Sequence, residues 1–277
     1  MSLDVMPLTP AVGAEIRGVD LRADLDDPTV AAIRRALLDH GVIFFRDQPL
    51  SPEQHLRFAR RFGEVKIPVF DNTSSETPGF TVIDVSKPKN SGTDAWHADS
   101  TFMKEPPMGA ILRAERLPAC GGDTLWASMS AAYDALDADL RTRLDGLDAE
   151  HSTKKVMALV AKLDNAYTRE TKIEPPVLHP VVRVHPETGR KGLYVSGNWV
   201  DRIVGLPDDE SEAMLRFLYE HVKSPEFQVR FRWQRDSIAF WDNRATQHYA
   251  VADYRERRVM HRVLLAGDVP FGPGARA

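Results

Sequence analysis

The sequence predicts an α+β fold. Two observations carry this: capped helical periods come first and short β-rich runs dominate later, and no internal repeat or low-complexity tract points to a solenoid or a fibre. Asp27-Pro28 opens the first helical run, which carries Val30, Ile33, Leu37 and Leu38 and is stopped by Gly41. Val42-Ile43-Phe44-Phe45 then reads as a buried strand. Ser51-Pro52-Glu53-Gln54 supplies a capping serine, a proline at the first helical position and a glutamine three residues after the cap. The helix it starts carries Leu56, Phe58 and Phe62 and is expected to end at Gly63. Residues 64–95 are loop-rich, with Thr81-Val82-Ile83-Asp84-Val85 as the clearest strand-like piece. One helix is expected over residues 129–144. Residues 152–178 are polar and Lys-rich, with little strand character. They read as an insertion over the site, a lid, or equally as a surface excursion. Strands resume at 181–184 and 193–195. A helix follows at about 208–222, and the chain closes on strands at 229–233, 237–241 and 259–265.

At 277 residues the chain is expected to form a single domain, residues 1–277, with a substantial core. A hydrophobic fraction of 43% and a charged fraction of 27% describe an ordinary globular protein. The net charge of −4 gives no reason to expect a nucleic-acid partner. Met1-Ser2-Leu3-Asp4 lacks a basic stretch leading into an apolar run, so no secretory signal is expected. No apolar segment approaches a membrane span, so no membrane partner is expected either. Cys120 is the only cysteine, which rules out an intramolecular disulfide or a thiolate metal cluster and fits a reducing cytoplasm. It reads as a small packed residue before the Gly121-Gly122 turn. The oligomeric state stays open, a homo-oligomer included.

The residues that carry chemistry begin with His97 and Asp99 in Trp96-His97-Ala98-Asp99-Ser100-Thr101-Phe102. In extended backbone, residues two apart point to the same side, so one short segment can offer both to one metal. A second histidine, His248 in Trp241-Asp242-Asn243-Arg244-Ala245-Thr246-Gln247-His248, would complete a two-histidine, one-carboxylate triad with open coordination positions. His-x-Asp alone is weak, since in a chain with nine histidines and many aspartates on the order of one such tripeptide arises by chance. His185-Pro186-Glu187 is a competitor. It is rejected because Pro186-Glu187-Thr188-Gly189 reads as a turn, which makes His185 the end of a strand and Glu187 a solvated turn residue. A Zn²⁺ site could use the same residue types as the triad.

Context strengthens the first pair. Gly121-Gly122-Asp123-Thr124 follows it, and a terminal block runs from His248 through Asp253-Tyr254-Arg255-Glu256-Arg257-Arg258-Val259-Met260-His261-Arg262. At these residues the chain resembles the taurine dioxygenase family of Fe(II)/2-oxoglutarate oxygenases, which includes alkyl sulfatases and aryloxyalkanoate dioxygenases. The resemblance runs from Gly18-Val19-Asp20-Leu21 to Gly267-Asp268-Val269-Pro270. It implies a double-stranded β-helix, a jelly-roll-like core flanked by helices. It implies Fe(II) held by His97, Asp99 and His248, with 2-oxoglutarate and O₂ as co-substrates. Arg258, ten residues after His248, would anchor the distal carboxylate of 2-oxoglutarate together with the Thr124 hydroxyl, and its planar fork suits that task. Arg262 would bind the anionic group of a small organic substrate. Strand alternation puts Arg258, Met260 and Arg262 on one face. Arg257 matches no ligand position and reads as a surface residue. Trp241, Asp242 and Asn243 are read as support for the site.

The chemistry so implied is oxidative decarboxylation of 2-oxoglutarate to succinate and CO₂, coupled to hydroxylation of an unactivated C–H. If that carbon also bears a sulfonate, sulfate or aryloxy group, the product collapses to an aldehyde or ketone. The pocket departs from the taurine enzyme. Ile67, Phe70 and Thr93 fall where that enzyme has polar contacts to taurine, and Met157 and Trp199 fall at its two pocket phenylalanines. An alkylsulfonate, alkyl sulfate or aryloxyalkanoate is therefore expected in preference to taurine. Asp99 argues against a halogenase, which lacks this carboxylate. The competing readings are a Zn²⁺-dependent isomerase or hydrolase on a metal-binding barrel, and a silent small-anion-binding protein.

Overall fold

A computed structural model describes residues 3–67, 77–86, 93–161 and 175–274. From the N-terminus, β1 (Asp4–Pro7) and β2 (Ala14–Arg17) lead into α1 (Asp27–His40), β3 (Val42–Phe45), α2 (Pro52–Arg60), β4 (Val65–Lys66) and β5 (Thr81–Val85). Next come β6 (Gly109–Arg116), β7 (Thr124–Ser128), α3 (Met129–Asp134), α4 (Ala138–Leu144), β8 (Asp148–His151) and α5 (Lys154–Ala161). The chain continues with β9 (Val177–Pro180), β10 (Val182–Val184), β11 (Lys191–Leu193), β12 (Val200–Ile203) and α6 (Asp208–His221). It ends with β13 (Gln228–Phe231), β14 (Ile238–Asp242), β15 (Thr246–Ala250) and β16 (Arg258–Leu265).

The first elements follow local chemistry. Asp26 caps α1 by accepting from Thr29 N–H, and Gly41 ends it at φ 71° while donating to Leu37 O. Ser51 and Gln54 form a reciprocal capping box on α2, so two otherwise orphaned N–H groups are satisfied. That helix stops at Arg60, and Phe62 packs just beyond it rather than within it. The expected helix over 129–144 is two helices. Asp137 accepts from Leu140 N–H and starts a new one, because a capping carboxylate competes with continuation of the first.

Eight strands form one sheet in the order β1-β2-β3-β14-β6-β16, with β4 and β5 both paired to β16. Opposite it, β13-β7-β15 form a three-stranded antiparallel sheet. Between the two lie Val42, Phe44, Ala110, Leu112, Trp241, Met260 and Leu264 from the large sheet, against Trp126, Val229 and Phe231 from the small one. Phe44 stacks on Phe231 with ring centroids 4.0 Å apart. The other face of the large sheet, through Ile43, Phe45, Ile111, Phe240 and Val263, is covered by α1 and α2. Truncating a large side chain such as Phe44 to alanine in such a core costs about 3–5 kcal/mol. A third cluster packs α3 and α6 beside β8 and β12, in the sheet β12-β8-β9. Of the stretch 152–178, Ser152 and Thr153 are buried and α5 follows, but residues 162–174 lie outside the described residues. Val177 and Leu178 begin β9, so the end of that stretch is strand after all, made so by pairing with β8. Cys120 is exposed, not packed. Among the described residues no helix is long and apolar enough to cross a membrane.

Burial also sets an acid sensitivity. His55 on α2 is 1% exposed, and burial, then His261 and Arg113, push its pKa from 6.5 down to about 3. Below pH 6.5 the unfolded chain takes up a proton that the folded chain refuses, so stability falls with pH until about 3. Between pH 7 and 5 this one residue should cost about 2 kcal/mol. Urea titrations at both pH values should show His55→Phe losing about that much less than the parent, and equal losses would disprove the assignment.

Candidate active site

The two histidines meet because their backbones pair. His97 N–H donates to His248 O at 3.0 Å and His248 N–H donates to His97 O at 2.8 Å, an isolated antiparallel bridge along the edge of β15. Directly opposed residues in such a pair project to the same side, and the imidazole centroids lie 4.2 Å apart. On its other edge β15 pairs with β7, which sets His248 opposite Trp126. Asp99 is held through its backbone. Its N–H donates to Asn243 Oδ1 at 2.7 Å, and Asn243 Nδ2 donates back to Asp99 O at 3.0 Å and to Pro107 O at 3.1 Å. Ser100 then turns the chain away at φ 53°.

One ligating atom from each of His97, Asp99 and His248 lies within 4.8 Å of the other two, and all three residues are buried. His97 Nδ1 sits 2.7 Å from Ala95 O. A carbonyl only accepts, so Nδ1 carries the proton and Nε2 keeps its lone pair for a metal. Burial, then the neighbouring His97, push His248 down to a pKa of about 3, so it is neutral at pH 7. At Asp99 the upward push of burial is outweighed by His248, Arg262 and His97, which hold the carboxyl below its usual range. Neutral imidazoles and an ionised carboxylate are the states metal binding requires. Asp99 Oδ2 and His248 Nδ1 are buried without a hydrogen-bond partner among the described residues. Such groups are costly unless something satisfies them, and the donor set fits a divalent transition metal with open positions.

Asn243 owes its position to an ion network. Asp242 accepts from Arg244 and lies 3.0 Å from His185 Nε2, and Arg244 also pairs with Glu187, which pairs with Arg34. Arg244 holds the Asp242 carboxyl far below its usual range. His185 Nδ1 accepts two backbone N–H groups, so its Nε2 is the donor. His185 is thus a structural residue, as expected. Glu187 is an exposed turn residue, as expected, but its carboxylate is also engaged by Arg244 and Arg34.

Arg258 and Arg262 fall on the same face of β16. The pairing with β6 shifts register between Val259 and Met260, but the extra residue is Glu115 on β6, so alternation on β16 survives. Arg262 Nη1 lies 3.9 Å from Asp99 Oδ1, and its Nε is buried and unpartnered among the described residues. Arg258 is 7% exposed, and its Nε and Nη2 are likewise unpartnered. Its guanidinium sits 5.9 Å from the ring centres of both Trp233 and Tyr254. Gly122, at φ +76°, lets it in: a Cβ there would lie 3.3 Å from Arg258 Cδ and Nε. Thr124 Oγ1 accepts from Trp233 Nε1 at 3.0 Å. Arg257 pairs with Asp84 at the surface.

The pocket residues scatter more. Trp199 lies beside the triad, donating to Ala98 O at 2.9 Å and packing on Phe102. Met157 is half-buried in the first turn of α5. Ile67, just after β4, is 63% exposed, and Thr93 is exposed with its carbonyl accepting from Ala250 N–H. Phe70 lies outside the described residues. The reading from sequence missed Trp233, Tyr254 and Trp126. Tyr254 stood within the block that carries Arg258, whereas nothing in the sequence around Trp233 points to Thr124.

A two-histidine, one-carboxylate cluster beside two arginines with buried donors that lack partners among the described residues is the arrangement of an Fe(II)- and 2-oxoglutarate-dependent dioxygenase. The chain belongs to the taurine catabolism dioxygenase TauD, TfdA family, whose profile matches residues 4–264. It is 41% identical over 284 residues to an alpha-ketoglutarate-dependent sulfate ester dioxygenase of Pseudomonas putida, covering 98% of this chain and 92% of that one. A solved taurine dioxygenase from Burkholderia xenovorans superposes with a TM-score of 0.85 at 42% identity, covering 100% of this chain and 93% of the other. AAD-2 in complex with Mn(II) and N-oxalylglycine superposes with a TM-score of 0.82 at 31% identity, covering 98% and 99%. The protein is accordingly an α+β oxidoreductase that uses Fe(II), 2-oxoglutarate and O₂.

Proposed function

We propose that this dioxygenase hydroxylates a small organic anion of the alkyl sulfate, alkylsulfonate or aryloxyalkanoate type, and that taurine is a poor substrate. The observation that carries the reading is Arg262: a cation 3.9 Å from Asp99, with a buried Nε that lacks a partner among the described residues, on the same strand face as Arg258. Similarity to a sulfate ester dioxygenase supports it. In this reading His97, Asp99 and His248 hold the iron. With 2-oxoglutarate and O₂ bound, that iron supplies oxidative decarboxylation to succinate and CO₂ and hydroxylation of a substrate C–H. Arg258 and the Thr124 hydroxyl hold the distal carboxylate of 2-oxoglutarate. Arg262 holds the anionic group of the substrate and so aims its neighbouring carbon at the metal. Trp199 offers an apolar face beside the triad, and Ile67, Phe70 and Met157 are assigned to the same pocket from the sequence alone, Phe70 lying outside the described residues. In this reading Thr93 also lines the pocket and offers an ammonium group no more than a hydroxyl. We read the two facing sheets as a double-stranded β-helix and the chain as one domain over 1–277; the lid suggested by the sequence over 152–178 falls largely on residues 162–174, outside the described residues. The lone cysteine suits a cytoplasmic enzyme.

Burying taurine's ammonium group without partners would be costly. The expected kcat/KM for ethanesulfonate, or for a short alkyl sulfate, exceeds that for taurine by about tenfold or more. Substrate-dependent succinate release over sulfonates, sulfate esters and aryloxy acids tests this. A clear preference for taurine would refute the substrate reading and leave the iron ligands untouched.

A further inference from the structure

Trp233 has no part in the function proposed so far, yet it touches both residues assigned to the distal carboxylate. Its edge reaches Thr124, with Nε1 donating to Oγ1 at 3.0 Å, and its face lies 5.9 Å from the Arg258 guanidinium. All three are buried, Thr124 to 3% exposure and Trp233 and Arg258 to 7%. Backbone pairing brings them together. Thr124 opens β7 opposite Phe231, the last residue of β13, and Trp233 follows two residues later. Phe231 packs against the Trp233 ring at 5.1 Å, and Trp126 approaches it at 6.3 Å, so the indole is walled in on the sandwich side.

The chemistry of the contact has one polarity. An indole N–H only donates, whereas a threonine hydroxyl has one hydrogen and two lone pairs. The Trp233–Thr124 bond therefore occupies one lone pair of Oγ1 and, by polarising the hydroxyl, makes it a better donor to an acceptor on its other side. Left alone, Thr124 could serve an amide, an alcohol or a protonated acid as readily as a carboxylate. Its pocket neighbour Arg258 offers only donors, with Nε and Nη2 unpartnered among the described residues. With Thr124 biased toward donation as well, the pocket favours an acceptor that carries negative charge.

We infer that Trp233 is a positioning residue for 2-oxoglutarate: it orients the Thr124 hydroxyl, favours its donation, and stands beside Arg258, which makes the pocket selective for a distal carboxylate. The inference rests on the assignment of Thr124 and Arg258 to 2-oxoglutarate. Calorimetric titration of Mn(II)-loaded protein, which does not turn over, tests it with two ligands. 2-Oxoglutarate carries the distal carboxylate and 2-oxovalerate lacks it. Trp233→Phe should weaken 2-oxoglutarate about three- to tenfold and leave 2-oxovalerate within about twofold. Saturating 2-oxoglutarate should restore kcat. In a Thr124→Val background the same change should add less than about twofold, because the hydroxyl it acts on is gone. Equal losses for both ligands, or losses that multiply in the double variant, would overturn the inference, since both describe a general packing defect. If the variants do not fold, the parent protein still answers. In the Zn(II)-loaded, indole-¹⁵N-labelled protein, 2-oxoglutarate should shift the Trp233 Nε1–H resonance downfield and 2-oxovalerate should not. An unmoved resonance at saturation would equally overturn it. If Thr124→Val and Arg258→Ala leave 2-oxoglutarate affinity unchanged, the carboxylate assignment itself has failed. If only Trp233→Phe is silent, the assignment stands and the inference alone falls.

Discussion

Alanine at His97, Asp99 or His248 is expected to reduce substrate-dependent succinate release to background and to release the iron. A triad of two histidines and one carboxylate has no spare protein donor, and the charged side chain beside it, Arg262, is a cation. The three changes should be equivalent, since each leaves only two protein ligands. Asp99→Ala has a second consequence. It removes the anion that faces Arg262, so a partly buried guanidinium is left beside the neutral His248 imidazole. Iron content, succinate yield and circular dichroism on the same preparations separate loss of metal from loss of fold. A variant that keeps its iron and near-normal turnover would eliminate that residue from the ligand set.

The next largest effect should divide between two residues of one strand. Arg258→Ala should raise the 2-oxoglutarate requirement, and Arg262→Ala should weaken the organic substrate, with little crossover. Each change deletes a charge-assisted partner in a mostly buried site, about 1.5–3 kcal/mol, or roughly tenfold to a hundredfold in affinity. Steady-state titration of each substrate at saturation of the other measures the split. A defect confined to 2-oxoglutarate in Arg262→Ala would mean that the roles assigned to the two arginines of β16 are reversed.

The roles of the site residues came from the family resemblance, and local or periodic pattern made their placement legible. His97 and Asp99 lie two residues apart, and alternation along β16 put Arg258 and Arg262 on one face. That alternation could be trusted only because the register shift falls at Glu115 of the partner strand. The helix caps at Asp26 and Ser51 were equally plain, since a cap is written within four residues. What the sequence hid is non-local. β6, a central strand of the large sheet, reads Gly-Ala-Ile-Leu-Arg-Ala-Glu-Arg, a composition with as much helix as strand character. It is a strand because β14 and β16 pair with its two edges. The break between α3 and α4 was missed because Asp137 could be either a helix residue or a cap. Trp233 was missed because its polar partner lies on another strand, joined to it only by the fold.

The bridge between His97 and His248 also bears on the durability of the whole molecule. These residues are separated by about 150 positions of chain, and their backbones already clasp through two hydrogen bonds. An ion held by both would act as a reversible cross-link closing a very long loop, restricting the unfolded chain much as a covalent tie does. Occupancy and global stability are then thermodynamically linked: metal at a hundred times its dissociation constant adds about 2.7 kcal/mol to the folded state. Chelators, on this view, would do more than silence the enzyme. They would unfasten the clasp and expose the chain to proteolysis, so that iron supply governs how long each molecule survives as well as whether it works.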